Sequence, residues 1–242
     1  MAKTQLKPQV ERIGQNTRLL TPYNRGLIAF AHPLAGPNTY REVGAQILKQ
    51  KQLIPTGGQT ASLIHASYTP EVENKPEFEN VRQTMRNRYF WVFNGNLWTS
   101  KGVYVLPDDK AIGLSKPLNQ KTLEKMLKGG KDVKGVRFSS DKRLRFAPKG
   151  SYKDGEQTSE EFAKNGFMIA SNGIDGAEKY GELSFNKKYF KFNPRIWIVN
   201  VAENGETIQT VSAVGVYLGD GLFFGGDCHV DYRDGCAFGV LK

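Results

Sequence analysis

Residues 88–106, RYFWVFNGNLWTSKGVYVL, constrain this chain more than any other stretch. Aromatic and β-branched residues dominate it, and such side chains favour a pleated, half-buried strand. Asn94-Gly95 stands between apolar runs and can supply the positive φ angles of a type I′ hairpin turn. A second turn at Ser100-Lys101-Gly102 then predicts a three-strand meander over 89–93, 97–99 and 103–106. Alternation puts Tyr89, Trp91 and Phe93 on one face and Phe90 on the other. With aromatics on both faces, the meander is expected in a core rather than as a stacking surface.

Helix signals lie around it. Thr39 and Glu42 have capping-box spacing, and Val43, Ile47 and Leu48 form a stripe that should end before Pro55. Short helices are predicted over 61–68 and 77–88, the second with Pro76 near its first turn. Asn119 caps a helix over 119–128 with Leu123, Met126 and Leu127 as its apolar face. Thr158 and Glu161 repeat the capping-box spacing. FMIAS (167–171) reads as a buried strand, followed by a Gly-rich loop and a helix start near Asp175. The C-terminal part reads as strand and turn: 195–202, 207–217, 222–224 and 237–241. Turns are expected at Glu203-Asn204-Gly205 and Gly219-Asp220-Gly221.

Residues 1–37 contain Pro8, Pro22, Pro33 and Pro37 with only short apolar pieces. They read as an extended N-terminal arm with one short strand near 27–31. The expected organisation is this arm, a basic α+β part over 38–153, and an acidic β-rich part over 154–242 packed on it as one compact unit. The fold class is α+β, with mainly antiparallel sheet (a meander plus hairpins) and three to five short helices.

Charge is distributed unevenly. The net charge is +10, yet residues 1–153 hold 26 Lys/Arg against 11 Asp/Glu, and residues 154–242 hold 8 against 13. The densest basic stretch carries Lys121, Lys125, Lys128, Lys131, Lys134, Arg137, Lys142, Arg143, Arg145 and Lys149. Such clusters bind phosphate backbones by releasing counterions. The expectation is therefore a non-catalytic protein that binds nucleic acid or another polyanion through residues 119–153. Period two sets Arg137 and Arg145 on the solvent side of a 136–138/144–147 hairpin, opposite Phe138 and Phe146.

Two other readings stand beside it. An enzyme acting on a phosphorylated or nucleotide substrate would hold phosphate with Arg137, Arg145 and Lys149 and use His65 or His229 as acid/base. A subunit of a larger assembly would dock, or self-associate, through residues 1–37. Cys228 beside His229 is a further candidate nucleophile. Cys228, His229, Asp231 and Cys236 are metal-ligand types without the paired spacing of a zinc site, so no metal or cofactor is expected. FMIASNGIDGAEKYG lacks the Gly-Lys-Ser/Thr of a phosphate loop, which leaves Gly173 and Gly176 with turn geometry as their role. The polar, basic start and the two cysteines fit a reduced cytoplasmic chain, and no run of apolar residues is long enough to span a membrane.

Overall fold

The computed structural model describes residues 6–111, 117–202, 206–217 and 219–242. Its centre is one long strand, β5 (Tyr89–Thr99). On one edge β5 pairs with β6 (Gly102–Pro107), and on the other with β12 (Ile208–Tyr217). Beyond β12 lie β13 (Gly221–Cys228), β11 (Arg195–Trp197) and β10 (Gly155–Glu156). Beyond β6 lie β9 (Arg145–Pro148), β8 (Val136–Phe138) and β7 (Lys131–Val133). Pairing is antiparallel except between β11 and β13 and between β5 and β14 (Gly235–Ala237). The protein is α+β with mainly antiparallel sheet, as its sequence predicts.

Helices cover both faces. α1 (Tyr40–Lys49) lays Tyr40, Val43 and Ile47 on Trp91, Phe93 and Ala213. α4 (Gln120–Met126) closes a smaller cluster of Leu97, Tyr104, Leu123, Leu127 and Leu144. The opposite face, with Phe90, Val92, Trp98 and Phe224, packs against α2 (Gly57–Ser67), α3 (Pro76–Asn87) and α6 (Gly166–Ser184). α5 (Ser159–Lys164) sits against α6. Local chemistry starts α1, α4 and α5 where the sequence says. Thr39 accepts from Glu42 N, Asn119 from Thr122 N, and Thr158 with Glu161 forms a full capping box. A capping box also forms at Thr56 and Gln59, so α2 begins at Gly57, ahead of the helix start expected at 61.

Four expectations are corrected. Residues 1–37 are not an extended arm with one strand. β1 (Gln9–Ile13), β2 (Asn16–Tyr23) and β3 (Gly26–His32) form an antiparallel sheet, and β4 (Ala35–Asn38) pairs with β14. Leu19 and Phe30, both fully buried, carry this sheet into the main core. Asn94-Gly95 is not a turn. β5 runs through it, and the register against β12 shifts between Val211 and Ser212. Buried Asn94 donates to Ser171 O at 3.0 Å, so its side chain anchors α6 instead of closing a hairpin. FMIAS is not a strand but the first half of α6, which breaks at Gly173 (φ 74°, ψ 171°). Its continuous apolar run fits a buried helix as well as a strand, and burial on all sides decided for helix.

The basic hairpin is the fourth. Arg137 pairs with Phe146, and Phe138 with Arg145. Cross-strand partners share a face, so Arg137 and Arg145 lie on opposite faces. The six-residue connection sets this register. Ser139 N donates to Leu144 O (2.9 Å), Leu144 N donates to Ser139 Oγ (3.0 Å), and Leu144 is buried under α4. The turn expected at 203–205 lies outside the described residues.

Candidate functional site

The outer strands β11, β13 and β12 carry a row of aromatic rings on the face whose inner part, at Ala213, packs on α1. In register, Arg195 lies beside Phe223 and Trp197 beside Gly225. Phe223 in turn lies beside Gly215, and Tyr217 beside Gly221. The rings lie across the glycines. A Cβ on Gly215 would stand 2.7 Å from the Phe223 ring, and one on Gly221 would run into the Tyr217 ring. Glycine at these positions lets the aromatic side chains fold down on the sheet. Trp197 and Phe223 are 4.6 Å apart between centroids at 35°, and Trp197 and Tyr217 are 6.1 Å apart. Arg195 Cζ lies 5.6 Å from the Tyr217 ring centre, a cation–π contact. All three rings are half-buried, and Phe192, at the approach to β11, is 50% exposed.

Acceptors border the rings. Asp227 Oδ1 lies 3.2 Å from where a Gly225 Cβ would stand. Desolvation holds the Asp227 carboxyl above its ordinary range, and the nearby Asp154 charge adds to this. Asp154 accepts from Ile198 N at 3.2 Å. Glu156 accepts from Asn193 at 3.0 Å, and Tyr217 Oη donates to Asn193 O at 3.2 Å. Trp197 and Phe223 at this spacing lie largely face to face, so a flat group can stack on an outer ring face of the row while its edge donates to carboxylates.

A second feature is an open cleft of about 1150 Å³ between the β2–β3 turn, α2 and α6. His65, on α2, lies in it with Nε2 3.1 Å from Glu182 Oε2. Burial lowers the pKa of His65, against the pull of Glu182. Lys179, on α6, donates to Ser62 Oγ at 2.7 Å across the same cleft. Arg137, Arg145 and Lys149 do not line it.

The remaining predicted residues are scattered. Lys121, Lys125, Lys128, Lys131, Lys142 and Lys149 are exposed. Lys134 pairs with Glu178 (2.6 Å), Arg137 with Asp132 (2.7 Å) and Arg143 with Asp109 (3.1 Å). Arg145 turns inward, donating to Ala170 O at 2.9 Å over the Phe138 ring. Cys228 and Cys236 are free and buried. Burial and the Asp227 charge push the Cys228 thiol up to about 12, the reverse of what a nucleophile needs. His229 is exposed beside Tyr232. The aromatic face was missed at the sequence level. Its strands were read there, but the pairing that brings Trp197, Phe223 and Tyr217 together is non-local.

No family model matches the chain, and no curated protein sequence matches it. A solved structure from work titled "Accommodation of massive sequence variation in Nanoarchaeota by the C-type lectin fold" is similar over 85% of this chain and 95% of its own. Its identity is 13% and its TM-score 0.49, and at that level the likeness says nothing of what this chain binds. The expected reading as a nucleic-acid or polyanion binder through one basic surface is corrected by the structure, because Arg137 and Arg145 lie on opposite faces of their hairpin. The pairing of Lys134, Arg137 and Arg143 with carboxylates and the inward turn of Arg145 agree with the correction. Among the described residues, no helix is long and apolar enough to cross a membrane.

Proposed function

We propose that the protein is a carbohydrate-binding module whose site is the Trp197–Phe223–Tyr217 face. The observation that carries this reading is the row of half-buried rings lying across Gly215 and Gly221, with Asp154 and Asp227 at its border. A sugar ring has an apolar C–H face and an edge of hydroxyl donors. The first suits a large aromatic surface, and the second suits ionised acceptors, whose hydrogen bonds are stronger than neutral ones. Arg195 serves the site by fixing Tyr217 from one side.

Titration of intrinsic tryptophan fluorescence with a panel of neutral mono- and oligosaccharides tests the reading. Trp197 lies within the proposed contact, so a binding sugar should change its emission. Trp197→Ala should remove the response, and Asp227→Asn should weaken binding by roughly tenfold, the value of one charge-assisted hydrogen bond. A panel with no binder, or binding that survives Trp197→Ala unchanged, overturns it.

A further inference from the structure

We infer that the cleft between the β2–β3 turn, α2 and α6 binds a small carboxylate with an apolar body, held by Lys179 and Arg25. This site is separate from the aromatic face and does not rest on its reading.

Two of the basic groups in the cleft already have carboxylate partners. Lys7 pairs with Glu71 at 3.5 Å, and His65 lies 3.1 Å from Glu182. Lys179 and Arg25 have no carboxylate within ion-pairing distance among the described residues. Lys179 is half-buried, and an ammonium carries three donors. One goes to Ser62 Oγ, a neutral acceptor. The Tyr23 ring centre is 5.9 Å from Nζ. Asp175 and Glu182 on its own helix act on it only at longer range, and desolvation lowers its pKa despite them. A cation held this way in a partly dry cleft gains more from an anion than a fully solvated lysine does. Arg25 reaches the same cleft from the β2–β3 turn and supplies a second donor group.

The other walls define the rest of the ligand. Leu6, Pro8, Pro22 and Ala66 line the cleft with apolar surface. A carboxylate with a short alkyl or aryl body matches both parts, whereas a bare inorganic anion leaves these walls wet.

Isothermal titration calorimetry with hexanoate, against 1-hexanol as the uncharged control, tests the inference on the full chain. Hexanoate should bind and 1-hexanol should not. Lys179→Met and Arg25→Gln should each weaken hexanoate by roughly tenfold or more. Equal binding of the alcohol, no binding of hexanoate, or unchanged affinity in both variants overturns it. Should Lys179→Met fail to fold, the parent protein decides. Hexanoate should slow reductive methylation of Lys179 relative to exposed Lys187, read by peptide mass spectrometry. Equal rates with and without hexanoate overturn the assignment.

Discussion

His32 and His65 carry a pH dependence that can be worked out residue by residue. Burial lowers both from imidazole's ordinary 6.5. Glu77 opposes the shift at His32. At His65, Glu182 opposes it and Lys179 adds to it. A histidine with a lowered folded pKa is neutral in the folded chain while its unfolded form is already taking up protons. Stability is therefore complete above pH 6.5 and falls as pH drops below that value toward the folded pKa. Carboxylates with lowered pKa, such as Glu73 and Glu161, act only in a more acidic range. Urea unfolding between about pH 7.5 and about pH 5.5 should show a loss of a few tenths to about 1 kcal/mol, since both rings are partly solvated. The double variant His32→Gln with His65→Gln should flatten that slope. A slope that is the same in the double variant would assign the loss to other groups.

At the scale of elements, α2 and α6 pack closely. Gly57 faces Ser171 O and Asn172, and Gly58 faces Asn172 O, where a Cβ has no room. Gly176 approaches the Gly58 backbone from the other side. Small residues here let the helices meet at the Gly173 break, where Asn94 binds Ser171 O. Gly57→Ala should cost about 1–3 kcal/mol by overpacking, measured by denaturant unfolding. An Ala variant as stable as the parent would show that α2 is free to slide.

The same elements show what was legible in the sequence. Caps and breakers act over three or four residues, so α1, α3, α4 and α5 could be read at Thr39, Pro76, Asn119 and Thr158. Pairing partners act over the whole chain. Asn94-Gly95 has the composition of a turn, yet the demand for strand opposite β12 overrode it. The Arg137/Arg145 face assignment failed because period two gives each strand's alternation but not the offset between strands, which Ser139 and Leu144 set. The aromatic face was hidden for the same reason, since Trp197 meets Phe223 only through the parallel β11–β13 pair.

For the whole molecule, the strand order decides when the fold can form. β5 lies mid-chain, but its neighbours β12 and β14 come from residues 208–217 and 235–237. Val240 bridges both Phe30 and Leu53, and Leu241 N donates to Ala29 O at 2.9 Å. A ribosome that has released residues 1–206 has thus exposed a hydrophobic strand with one edge unpaired. Such non-local pairing makes vectorial folding slow and leaves the nascent chain dependent on protection. Translation arrested after residue 206 should give a chain that a probing protease cleaves within β5, whereas release of residues through 242 should give resistance. Protection of β5 at the earlier arrest point would mean that β6 alone suffices. The placement of β14 between β4 and β5 thus acts as a clock, because β14 is made well after the two strands that it joins and this part of the chain commits to its fold only then.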